Sequence, residues 1–64
     1  MDPGPAGVRA SDGERELVAE RLARALTHGR LSVAEYDERV AAVHAAVYRE
    51  DLARLTRDLP GHAW

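Results

Sequence analysis

The run Gly29-Arg30-Leu31-Ser32-Val33-Ala34-Glu35-Tyr36-Asp37-Glu38-Arg39 leaves this chain few conformations to choose from. It reads as the end of one helix, a tight corner and the start of the next. Gly29 is free to take the left-handed backbone that closes a helix. Leu31 falls just past that cap, where a side chain packs back on the preceding turn. Ser32 and Glu35 form an S-x-x-E capping box: hydroxyl and carboxylate each accept from a backbone N–H that the new helix leaves open. Leu31 and Tyr36 occupy the two positions of a hydrophobic staple across the same start. A helical hairpin follows from these positions.

A second box, Ser11-Asp12-Gly13-Glu14, opens the preceding helix, and Asp12 and Glu14 also suit the positive end of its dipole. The spacing of apolar residues predicts helix one over about 12–28, with Val18, Ala19, Leu22, Ala25 and Leu26 on one face. It predicts helix two over about 33–47, with Tyr36, Val40, Val43 and Val47 as the buried stripe. Helix three starts near Arg49 and ends before Pro60, turning Leu52, Leu55 and Leu59 inward, with Pro60-Gly61 as its stop. Asp51 stands where a capping box places its acid, but Tyr48 is a poor N-cap, so helices two and three are either separate or one kinked helix. Glu20 with Arg24, and Glu35 with Arg39, are i, i+4 pairs in the favourable order. The expected fold class is all-α, a three-helix domain built on a helical hairpin over residues 11–60. Residues 1–10 read as a flexible lead-in, since Met1 to Gly7 offers two prolines, two glycines and almost nothing to bury. Residues 61–64 read as a short tail, whose Trp64 either folds over an apolar edge or stays free.

Sixty-four residues make one domain at most, and a chain of that size buries only about 60% of its unfolded surface. Its large apolar residues are seven Leu and six Val, with no Ile and no Phe. The core is therefore thin, and stability gained from a second polypeptide is the expectation. The absence of cysteine removes disulfides and thiolate metal sites as staples. Nine arginines and no lysine stand against eleven acids, a net charge of −2. That balance lacks the basic excess of a nucleic-acid or anionic-membrane binder. As a DNA-reading element, helix three would present Arg49, Arg54 and Arg57, but Glu50 and Asp58 share its polar face and would repel phosphates. No apolar run approaches the ~20 residues of a membrane span and no signal peptide is visible, so the expected location is the cytoplasm.

Candidate chemistry is sparse. Glu35, Asp37 and Glu38 fall on different sides of a helix start and converge on no point. His28, His44 and His62 are too scattered for a metal motif. No nucleophile–base set and no phosphate-cradling glycine loop is present, so neither catalysis nor a cofactor nor a metal is expected. Two patches remain as candidate partner-binding surfaces. Leu17 lies off the core stripe beside Arg21 and Arg24, an apolar spot framed by guanidiniums, a composition enriched at interfaces. Ala41, Ala42 and Ala45 put small side chains on the reverse of helix two, where another helix can come close. Each has an ordinary explanation too: single exposed leucines are common, and alanine is a good helix former.

The run Arg9-Ala10-Ser11-Asp12, then Arg15-Glu16 and Glu20-Arg21-Leu22, resembles the opening of a small SHOCT-like domain family of unknown function found mainly in actinobacteria. Gly29-Arg30-Leu31-Ser32 with Glu35-Tyr36-Asp37-Glu38-Arg39 resembles its central signature, and Asp58-Leu59-Pro60 its close. Tyr48 departs from the expected Thr cap and Leu17 from the usual polar residue. The resemblance covers roughly residues 9–60 and implies a helical hairpin used for interaction or oligomerisation, without catalytic residues. It also implies a module often placed ahead of membrane-spanning or other segments; as this sequence ends just after the domain, no such segment is expected in it. The function expected from all of this is a non-catalytic protein–protein interaction or self-association module with a regulatory role. A DNA-associated regulatory domain and a cytosolic piece recruited to a membrane protein are the alternatives.

Overall fold

The structure, a computed structural model, describes residues 8–59. The lead-in before Val8, the Pro60-Gly61 stop and the tail with His62 and Trp64 lie outside the described residues. Three helices follow in order: α1 (Asp12–Thr27), α2 (Val33–Ala45) and α3 (Arg49–Thr56). Each packs against the other two, and the fold is all-α.

Both expected capping boxes form. Ser11 Oγ accepts from the Glu14 N–H at 3.1 Å while the Glu14 carboxylate accepts from the Ser11 N–H at 2.8 Å. Ser32 and Glu35 repeat those two distances at the start of α2. Between the boxes, α1 closes through a left-handed Gly29 at φ 76°. The Gly29 N–H donates to the Leu26 carbonyl at 3.1 Å and the Arg30 N–H to the Ala25 carbonyl at 2.8 Å. Those two bonds make a complete Schellman closure. Leu31 then turns inward and is buried, and Tyr36 packs on the same core.

Leu22, Ala25, Leu31, Val43, Ala46, Leu52 and Leu59 form that core, with Ala10, Val18, Tyr36, Val40 and Leu55 packed around it. Ala19 and Leu26, expected in the stripe, are only half-buried. Val47 corrects the expectation for α2: the helix stops at Ala45, and Val47 lies beyond it and is 38% exposed. At Ala46 the backbone becomes extended, with ψ 134°, and the small Ala46 side chain is buried in place of Val47. The extended backbone lets Val47 to Arg49 pair with Val8 to Ala10 in a single antiparallel bridge centred on Arg9 and Tyr48. The Ala10 N–H donates to the Val47 carbonyl at 2.8 Å and the Arg49 N–H to the Val8 carbonyl at 2.9 Å. Residues 8–10 are thus a strap across the α2–α3 corner, so the packed part starts ahead of Ser11.

The same corner separates α2 from α3. Tyr48 contributes no side-chain cap; only the reciprocal half of a box forms, with the Asp51 carboxylate accepting from the Tyr48 N–H at 3.3 Å. α3 ends at Thr56, earlier than the apolar spacing suggests. A final turn, with the Leu59 N–H on the Thr56 carbonyl at 3.0 Å, rolls Leu59 into the core.

Arginines tie the elements in a ring. Arg15 of α1 donates Nε and Nη2 to the Ala46 carbonyl at 3.2 and 3.0 Å, capping the exit from α2. Arg39 of α2 forks onto both Asp58 carboxylate oxygens at 2.8 and 2.9 Å and also donates to the Leu55 carbonyl at 3.0 Å. Arg49 of α3 pairs with Glu14 of α1. The expected Glu35–Arg39 pairing therefore gives way to a longer-range one, because Glu35 is committed to its capping box.

Candidate functional site

α1 and α3 begin side by side, pinned by the Glu14–Arg49 ion pair. Beyond the pin the two helices leave an open concavity of about 490 Å³. Its α1 wall is Glu14, Leu17, Val18 and Arg21, and its α3 wall is Arg49, Leu52, Ala53 and Thr56. The spacing explains the α1 wall: positions 14, 17, 18 and 21 are i, i+3, i+4 and i+7 and share one side of a helix. Leu22 and Ala25 are spent on the core. Val18 lies between the two faces, half-buried, touching the core with one side and the concavity with the other.

Leu17 is 61% exposed, the projecting apolar side chain of the groove. Arg21 is half-buried and, among the described residues, makes no hydrogen bond or ion pair. Glu14 is held below the ordinary glutamate range by the Ser11 backbone N–H, with the Arg49 guanidinium adding to that effect. The groove thus carries an apolar middle, a neutralised ion pair at one end and an uncompensated cation towards the other.

The structure brings Leu17 and Arg21 into this groove and leaves Arg24 exposed on the same helix, outside its lining. Ala41 and Ala45 are exposed on α2 and Ala42 is half-buried; none of the three reaches the groove. A second, smaller concavity of about 350 Å³ lies between α1 and α2, against Asp12, Arg15, Glu16, Ala19 and His44. The two expected surfaces are therefore separate. Sequence reasoning missed the α3 wall and the double role of Val18. The i, i+3, i+4, i+7 run from Glu14 to Arg21 was the available signal.

On α3, Arg49 pairs with Glu14, Arg54 with Asp51 at 3.4 Å and Arg57 with Glu50 at 3.7 Å. A phosphate backbone would find those arginines already compensated. Asp37, Glu38, His28 and His44 are exposed, and among the described residues no three His, Asp or Glu are placed to hold a metal ion. No described helix is long and apolar enough to cross a membrane.

Residues 8–60 match the family model described as the DUF1707 SHOCT-like domain. The chain is similar to the uncharacterized proteins MT0994 and Rv0966c of two Mycobacterium tuberculosis strains. With each it is 46% identical over 55 residues, covering 86% of this chain and 28% of the relative. The matched stretch is thus just over a quarter of those proteins. No solved structure matches the chain at a significant level.

Proposed function

The chain belongs to the DUF1707 SHOCT-like domain family, and from that premise we propose that it is a non-catalytic module that grips another polypeptide, either a partner protein or a second copy of itself, with a regulatory role in the cytoplasm. The observation that carries this reading is the α1–α3 groove, where Leu17 projects at 61% exposure beside a half-buried Arg21 that has no partner among the described residues. Exposed apolar area framed by arginine is a composition that interfaces favour over the rest of a surface. The thin core points the same way, since seven small-to-medium apolar side chains form all of it among the described residues. In the mycobacterial relatives the matching stretch sits within a chain more than three times its length, which supports a module working alongside other segments.

The test is affinity capture from an actinobacterial extract, using wild-type bait and the double variant Leu17→Glu/Arg21→Glu, with sedimentation equilibrium of each bait alone. Wild-type bait should retain a polypeptide, or associate with itself, and the variant should lose that association while keeping its helical circular dichroism. A thermally robust monomer that retains nothing overturns the proposal.

A further inference from the structure

We infer that the occupant of the α1–α3 groove is α1 of a second copy, laid antiparallel across a twofold axis between Leu17 and Val18. This rests on the interaction-module reading and names the partner within it. The argument begins with the order of side chains on the α1 wall: Glu14, Leu17, Val18, Arg21. Read in reverse, that stripe is apolar at the same central places and opposite in charge at its ends. Two such helices run antiparallel therefore set Glu14 against Arg21 at both ends and Leu17 against Val18 in the middle. A parallel arrangement would set Arg21 against Arg21, which like-charge repulsion disfavours, and would leave both Arg21 side chains without an acid. A patch that satisfies itself under a twofold rotation is what an isologous interface requires.

The surroundings fit such an occupant. Arg21 has no partner among the described residues and lacks only an acid. The Glu14 side chain is 30% exposed, and its two oxygens are each engaged once, by the Ser11 N–H and by Arg49. A carboxylate has about four acceptor positions, so Glu14 can take a further guanidinium without surrendering either bond. On the α3 wall, Ala53 and Thr56 are small and allow an incoming helix to come near. Leu17 is the anchor, moving from 61% exposure into the space beside the other copy's Leu52. A contact built on a two-turn stripe falls at the low end of interface sizes, so the dimer forms in the micromolar range.

The chain has no cysteine, so a single introduced thiol reports geometry directly. Leu17→Cys, adjacent to the axis, should form a disulfide-linked dimer on mild oxidation, and Ala41→Cys on α2 should not. In sedimentation equilibrium, Arg21→Glu should weaken wild-type dimerisation about tenfold or more. Glu14→Gln, which keeps the capping acceptor, should weaken it in the same direction and reduce its salt dependence. Unchanged circular dichroism for Arg21→Glu separates loss of pairing from loss of fold. A dimer that links through Ala41→Cys and ignores Arg21→Glu overturns this geometry and leaves the interaction-module reading standing. A wild-type monomer at about 1 mM that binds a synthetic acidic amphipathic helix through Leu17 overturns it in favour of a different partner. A monomer that binds neither overturns this geometry, and the interaction-module reading falls with it only if the bait also retains nothing from the extract.

Discussion

Exchanging Arg15 for methionine would take both guanidinium N–H groups away from the Ala46 carbonyl, which sits at the exit of α2 beside a buried side chain. An acceptor left without its donor in a half-dry place costs about 1–3 kcal/mol, and urea denaturation of Arg15→Met should show a loss in that range. Arg15→Lys should recover only part of it, since an ammonium cannot fork onto one carbonyl from two nitrogens. Gly29 is a different case. A Cβ there would meet nothing within 4 Å, so Gly29→Ala is opposed by backbone strain alone, at about 1 kcal/mol. A synthetic chain with D-alanine at that position should be at least as stable as wild type, which thermal melting would check. These two residues also show what a sequence discloses. Gly29 was legible because its demand is local and sits between a helix pattern and a capping box. Arg15 was not, because its acceptor lies 31 positions away, and no periodicity encodes a bond to a backbone carbonyl.

For the helices, the two capping boxes are separate devices on separate starts. Ser11→Ala and Ser32→Ala should each cost about 1 kcal/mol, and chemical denaturation of the double variant should return close to their sum. The α2–α3 connection has a pH signature. Asp58 is held below the ordinary aspartate range by the hydrogen-bonding Arg39 fork. Its folded value is thus lower than its unfolded one, and the stabilisation it gives is complete above about pH 4 and fades as pH falls through the folded value. Arg39→Met should lower the melting temperature at neutral pH and shrink the gap to wild type as the solution is acidified below about pH 4. The starts of α1 and α2 were legible, since caps are written next to them, while Tyr48 left that of α3 open. The ends of α2 and α3 were not: the apolar spacing carries α2 through Val47, while Arg15 and the strap end it at Ala45. The groove was half legible for the same reason. Leu17 stood out by lying off the core stripe, but its facing wall depends on how α3 crosses α1.

Taken whole, the molecule has little stability to lose. Leu22 and Val43 are the largest fully buried side chains among the described residues, and Leu22→Ala should cost about 2–4 kcal/mol. Against the ~3–10 kcal/mol typical of a domain this size, that loss should leave a substantial unfolded fraction at 37 °C, read by circular dichroism. The all-α class and the central corner were plain from the sequence because they arise from neighbours along the chain. The ring of arginine ties was hidden because each joins residues far apart along the chain. The bridge between Arg9 and Tyr48 has one more consequence, for the order of events as the polypeptide is made. Val8 to Ala10 leave the ribosome before any helix of the domain, yet Val47 and Arg49, which fasten them, emerge only after both longer helices are complete. These early residues are among the last to be secured, and until then the nascent hairpin has an unlatched edge.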